Sequence, residues 1–190
     1  TFADDGHREL VETIKTPMFD AEGRLIGVLG VARNITAARQ NEAALRASEA
    51  MYRSLFDNML NGFAYCRMLF ENGRPLDFVY LSVNQAFETL TGLRDVVGRK
   101  VTEVIPGIQE ADPELFEIYG HVATTGQPAR FEVFIKALQM WFSIAVYSPQ
   151  RDHFVAVFDI ITRRKLAEEE IRRQKAQAAE SFGAEGKFLS

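Results

Sequence analysis

The chain closes a β-strand in the same way twice. In Val31-Ala32-Arg33-Asn34-Ile35-Thr36-Ala37-Ala38-Arg39, and again in Phe158-Asp159-Ile160-Ile161-Thr162-Arg163-Arg164-Lys165, an apolar strand ends on Ile-Thr and passes straight into a charged helical segment. Upstream, Thr16-Pro17 in the first copy stands where Ser148-Pro149 stands in the second. Thr36 and Thr162 lie 126 positions apart, a spacing of tandem domains rather than of a short-period solenoid. A chain of 190 residues holds one full repeat of that length and the end of another. Residues 1–36 therefore read as the closing hairpin of a preceding, truncated domain. Residues 37–60 read as a linker helix, 61–162 as a complete domain, and 163–190 as a C-terminal helix with a frayed tail.

The local patterns support this division. Glu9 to Thr16 alternates in strand fashion up to Pro17, Asp20-Ala21-Glu22-Gly23 is a turn, and Leu25 to Val31 is a second strand. A lone hairpin is marginal in water and requires a packing partner. From Ala37 to about Met59 there is no Pro or Gly, and positions 38, 41, 45, 48, 52, 55 and 59 follow a 3.5-residue stripe. That stripe suits either an amphipathic helix lying on its own domain or a parallel coiled coil between two chains, with Asn41 at a seam position.

Beyond it, Gly62 to Phe70 and Leu76 to Val83 are strands joined by a turn at Glu71-Asn72-Gly73-Arg74-Pro75. Asn84 caps a short helix that Gly92 ends, and Gly98 to Pro106 is a further short turn or helix. Asp112-Pro113-Glu114 opens a longer helix ending near Gly126, with Asp112 as its cap. Three strands follow, at Ala129 to Ala137, Met140 to Tyr147 and Phe154 to Ile161, and then a charged helix from Thr162 to about Glu180. The order β, β, short α, short α, α, β, β, β predicts an α+β domain: one five-stranded antiparallel sheet with its helices on one face.

Composition removes several function classes. Lys+Arg number 22 against Asp+Glu 26, a net charge of −4, so there is no general positive field for nucleic acid. The single cysteine, Cys66, allows no disulfide within the chain and suits a reducing cytoplasm. No apolar run approaches the roughly 20 residues of a membrane-spanning helix, and no signal peptide is expected. His7, His121 and His153 fall in different elements, without metal-site spacing. Neither a Gly-rich phosphate loop nor a nucleophile elbow is present, so the segment reads as non-enzymatic. Cys66 sits between Tyr65 and Arg67 with nothing adjacent to lower its pKa, and reads as inert.

Asn84-Gln85-Ala86-Phe87-Glu88-Thr89-Leu90-Thr91-Gly92, Val97-Gly98-Arg99, Thr125-Gly126-Gln127-Pro128 and the two strand-to-helix exits together resemble the PAS (sensory box) family. The likeness covers residues 50–165 as a full domain and 9–40 as the end of another. It implies the PAS fold, flanked by N- and C-terminal signalling helices, in a multidomain bacterial sensor. Family strands finish in Asp-Ile-Thr; here Ile160 stands in the aspartate's place, Asp159 lies one residue early, and the first copy has Asn34.

The resemblance also implies a cavity between sheet and helices. Its expected lining is Phe63, Tyr65, Phe78, Tyr80, Phe87, Phe116, Tyr119, Phe142 and Ile144, either as a ligand pocket or as plain core. Asp159, Ile161 and Thr162, with Asn34 and Thr36 in the first copy, are the expected signal exits. Photosensors of the family need a cysteine after Gly-Arg-Asn; here Gly98-Arg99 is followed by Lys100-Val101, so no flavin adduct is expected. The position of a haem-binding histidine falls on Leu115, so no haem is expected either, and no cofactor or metal is predicted. The implied role is a cytoplasmic sensory or relay module, homodimeric through its flanking helices, serving a histidine kinase in the same chain. The alternatives are a diguanylate cyclase output, or a structural dimerisation module without ligand. Ala178-Ala179-Glu180-Ser181 and Gly186-Lys187-Phe188-Leu189-Ser190 resemble the stretch before a phospho-accepting helix.

Overall fold

The computed structural model describes residues 9–185; His7 and the tail segment Gly186 to Ser190 lie outside them. The chain forms two compact units, Thr1–Leu55 and Phe56–Ser190. In the first, β1 (Val11–Phe19) and β2 (Leu25–Asn34) make an antiparallel hairpin. Asp20 builds its turn: the carboxylate accepts the amides of Glu22 and Arg24 and the Arg24 guanidinium. β1 does not stop at Pro17 as its sequence suggests. A two-stranded ribbon has two free edges, where a residue without an N–H interrupts no ladder, and the strand continues to Phe19.

Helix α1 (Thr36–Asn58) contains the striped segment. Leu45, Tyr52 and Leu55 on the stripe are all more than half exposed. The helix is held within itself by ion pairs of Glu42 with Arg39 and Arg46.

The second unit is a single sheet with strand order β4-β3-β7-β6-β5, every neighbouring pair antiparallel. Its strands are β3 (Gly62–Glu71), β4 (Arg74–Val83), β5 (Ala129–Ile135), β6 (Met140–Tyr147) and β7 (His153–Ile160). Asn72 and Gly73, with φ of 50° and 78°, close the β3–β4 hairpin, the left-handed pair that matches strand twist. Between β4 and β5 the chain runs through α2 (Gln85–Thr91), α3 (Val101–Val104), α4 (Ile108–Ala111) and α5 (Pro113–Thr125). The expected α+β architecture is thus observed, with α4 an addition that the residue pattern did not reveal.

Asn84 caps α2 as expected and does more. Its Oδ1 accepts the Phe87 and Phe63 amides, both at 2.9 Å, and its Nδ2 donates to the Asn61 carbonyl at 3.0 Å. Asp112, by contrast, makes no side-chain cap on α5. Its buried carboxylate accepts the amides of Lys136 and Ala137 instead, each at 3.1 Å, and so ties the β5–β6 turn to the helix start. Those turn amides lack ladder partners, and a long-range acceptor meets them better than water can in a buried place.

The final helix, α6, runs Thr162–Glu185, five residues past the expected end. A single interior glycine, Gly183, costs only about 1 kcal/mol relative to alanine and does not stop a helix.

Candidate functional site

The inward face of the sheet is built by Ala64, Cys66 and Met68 on β3, Phe78 and Tyr80 on β4, Phe142, Ile144 and Val146 on β6, and Phe154, Ala156 and Phe158 on β7, all buried. Cross-strand pairing keeps these residues in phase: Cys66 opposes both Tyr80 and Phe154, and Ala64 opposes Ala156. Phe78 is the hub of an aromatic cluster, edge-on to Phe154 at 5.2 Å, with Phe116 at 5.9 Å and Tyr119 at 5.8 Å. Tyr119 stacks on Phe154 at 4.6 Å and Phe87 meets Phe158 at 5.8 Å. Offset and edge-to-face rings of this kind fill space efficiently and leave small gaps between quadrupole-matched edges.

One such gap is a cavity of about 60 Å³ between sheet and helices. Of the nine residues expected to line it, six do so: Phe78, Tyr80, Phe87, Tyr119, Phe142 and Ile144. Phe63 and Tyr65 do not. They stand in the opposite phase of β3, facing away from the core, where Phe63 packs edge-on against Phe56 at 4.9 Å and the Tyr65 hydroxyl accepts a hydrogen bond from Gln150. Phe116 is buried but set behind Phe78, because Leu115 and Tyr119 occupy the cavity-facing side of α5. The lining that sequence reasoning missed includes Ala64, Cys66 and Leu115.

The cavity chemistry is neutral. Burial pushes the Cys66 thiol well above its ordinary range and does the same to the Tyr80 and Tyr119 phenols, each raised further by the nearby Cys66. Among the described residues no cluster of three or more His, Cys, Asp and Glu forms that would hold a metal.

The two strand exits share one hydrogen-bond pattern. In the first copy the Leu10 amide donates to Thr36 Oγ1 at 2.8 Å, Ile35 donates to the Leu10 carbonyl at 2.8 Å, and Arg39 to the Ile35 carbonyl at 3.0 Å. In the second, the Trp141 amide donates to Thr162 Oγ1 at 2.9 Å, Ile161 to the Trp141 carbonyl at 2.8 Å, and Lys165 to the Ile161 carbonyl at 3.0 Å. The threonine hydroxyl thus bonds the first turn of each helix to the neighbouring strand.

What surrounds this shared core differs between the copies. Asn34 Oδ1 accepts the Thr36 amide, a bond that Ile160 cannot make. Asp159 instead accepts from Asn61 Nδ2 at 3.0 Å. The second exit carries its own ionic clamp: Glu132 on β5 accepts from both Arg164 and Lys165, and Lys165 Nζ lies 5.1 Å over the Trp141 ring. The Lys165 ammonium, and then the Arg164 guanidinium, hold the Glu132 carboxyl below the usual carboxylate range.

No helix among the described residues is long and apolar enough to cross a membrane. No curated protein matches the sequence. Among solved structures, the chain is similar to a domain of an HTR-like protein from Haloarcula marismortui ATCC 43049, at 21% identity over 55% of this chain and 100% of that one, TM-score 0.41. It is also similar to the PAS domain of a protein from Colwellia psychrerythraea (17% identity, 60% and 97% covered, TM-score 0.41). A third is a sensory box histidine kinase/response regulator from Burkholderia thailandensis E264 (14% identity, 68% and 98% covered, TM-score 0.41). Residues 50–123 match the family model of the PAS domain, and they lie on an α+β, PAS-like fold.

Proposed function

We propose that this chain is a sensory and relay module of a larger, cytoplasmic bacterial signalling protein, with the complete domain at 61–162 and a preceding domain's closing hairpin at 1–36. The observation that carries the reading is the repeated exit. Two strand ends of different sequence keep the same threonine-to-strand bond, and each leads into a long charged helix with no intervening linker. A helix bonded to the sheet in this way changes direction when the sheet changes, and biases a two-state arrangement of paired helices downstream. The output is a histidine kinase in the same chain, with a diguanylate cyclase as the alternative, and the module works as a homodimer through α1 and α6. The 3.5-residue stripe exposed on α1 supports that pairing.

Deleting one or four residues between Arg163 and Glu170 in the parent protein tests rigid transmission. The reading expects the output to change with the helical phase, and unchanged output would remove it. The small cavity favours a second reading, a structural module that only spaces and dimerises its neighbours. A melting temperature unmoved by a panel of small metabolites would support this second reading, because a ligand that binds only the native state raises stability.

A further inference from the structure

The β1–β2 hairpin repeats β6–β7 in its register as well as in its exit. Leu10 matches Trp141 and Thr36 matches Thr162, as their bonds dictate. On that match the strand pairs from Val11 opposite Asn34 to Thr16 opposite Leu29 fall one for one on those from Phe142 opposite Ile160 to Tyr147 opposite Val155. Each side chain of the hairpin is thereby assigned a side of the sheet. Thr13, Lys15 and Gly30 stand where Ile144, Val146 and Ala156 are buried toward the helices. Leu10, Ile14, Leu29 and Val31 stand on the side away from them, and Met18 continues their row.

The more apolar side is thus the one that a domain's own helices do not cover. The side toward the helices mixes valines with Thr13, Lys15, Gly30 and Asn34, whereas the five large apolar residues on the other side are all exposed. A contiguous apolar face on a two-stranded ribbon is unstable in water and marks a contact surface. The remainder of a preceding domain would pack on the mixed side and does not supply this cover.

Charge selects the cover. Glu12 and Arg33 oppose each other in register on this apolar side, at the end of the hairpin nearest α1. Two such faces related by a twofold axis along the strands place β1 of one copy over β2 of the other. Glu12 then meets Arg33 of the second copy, Ile14 meets Val31 and Thr16 meets Leu29, each contact made twice as an isologous interface requires. An axis across the strands would lay both charges over the Met18 and Gly27 end, against apolar surface. The axis along the strands also sends both α1 helices from the same end in the same direction, which a parallel pair along the Leu45 and Tyr52 stripe needs.

We propose that a second copy of this chain covers the outer face of the β1–β2 hairpin, with Glu12 of each copy paired to Arg33 of the other and Ile14, Leu29 and Val31 packed between them. The two ribbons stack about 10 Å apart with their strands within about 30° of each other. The assignment rests on the homodimeric reading given above and adds a contact surface outside the two helices.

The test uses the whole chain, Arg33→Glu and Glu12→Arg, each alone and the two variants mixed. Sedimentation equilibrium gives the affinities and native mass spectrometry identifies the mixed species. Either variant alone sets like charges against each other twice across the interface, and its dimerisation is expected to weaken about five- to thirty-fold. In the equimolar mixture the acidic face of one variant meets the basic face of the other, and a mixed dimer of at least native affinity is expected. Each chain keeps its own like-charged cross-strand pair in the mixture, so recovery reads the contact between copies rather than the folding of the hairpin. Dimerisation that neither substitution weakens overturns the assignment and leaves pairing through the helices alone. A loss that mixing does not repair overturns it as well. A native chain that stays monomeric at about 100 μM removes the homodimeric reading together with the assignment.

Discussion

Asn84 concentrates more of the fold than any other polar side chain in the domain. It is 2% exposed and joins the start of β3, the loop before it and the first turn of α2. Asn84→Ala leaves two amides and a carbonyl short of partners, and is expected to cost about 2–4 kcal/mol in urea unfolding. A loss under 1 kcal/mol would show that water replaces it. The cap was readable because capping is local: the acceptor and the Phe87 amide are three residues apart. The role of the Asp112 carboxylate is hidden in the sequence for the opposite reason, since its partners lie 24 and 25 residues away and no local spacing signals them.

Cys66, Tyr80 and Tyr119 set the alkaline limit of stability. Their folded pKa values are raised, so their contribution is complete below the ordinary thiol and phenol values of about 8.5 and 10, and is lost as pH rises past them. The urea midpoint is therefore expected to fall between about pH 8.5 and 10.5, and the Cys66 thiol to stay unreactive toward aromatic disulfides at pH 8 until the chain unfolds. A flat midpoint, or immediate thiol labelling, would contradict the burial that raises these groups.

At the scale of elements, the phase of β3 teaches most. Aromatic rings at Phe63 and Tyr65 suggest an inward face, yet Arg67 shares their phase, and Ala64, Cys66 and Met68 carry no charge at all. The charge was the better guide: a guanidinium cannot be buried without a partner, whereas a ring tolerates a half-covered sheet face. Core volume then comes from Phe78, Phe154 and Phe158 across the sheet, and β3 supplies the small side chains that admit them. Gly62 follows the same logic, because a Cβ there would lie 2.3 Å from the Phe158 ring.

Gly120 does the equivalent for α5. A Cβ on it would sit 2.6 Å from Cβ of Pro75, which fixes how closely the helix approaches β4. Helix propensity predicts that Gly120→Ala stabilises by about 1 kcal/mol; the contact predicts a net loss of roughly 1–2 kcal/mol, since overpacking against rigid proline exceeds that gain. A raised melting temperature would sink the close-packing account.

The clamp at α6 is sensitive to acid. Glu132 has a lowered folded pKa, so its contribution is complete above the ordinary carboxylate value near 4.3 and is lost as pH falls through the lowered one. Protection of the Arg164 and Lys165 amides, taken relative to the intrinsic exchange rate at each pH, should fall over that acidic window and should not do so in Glu132→Gln, which lacks the charge throughout.

At the scale of the whole molecule, the twofold exit was legible because Ile-Thr before a charged helix is a linear pattern, and its recurrence needs no tertiary knowledge. What the pattern could not show is that the threonine hydroxyl reaches across to Leu10 in one copy and Trp141 in the other. The fold class followed from element order, while the cavity lining depended on strand phase and helix rotation, where one residue's error reverses a side chain's direction. The central claim is that a change in the sheet reaches α6 through Trp141 and Thr162. Ile144→Val tests it directly, since Ile144 lines the cavity on β6, three residues from Trp141, and the change typically costs only about 0.5–1.5 kcal/mol. Native-state amide exchange of the Trp141, Ile161 and Lys165 amides should accelerate more in this variant than that of the β3–β4 hairpin. Equal acceleration throughout the sheet, or unchanged protection at those three amides, would contradict the account.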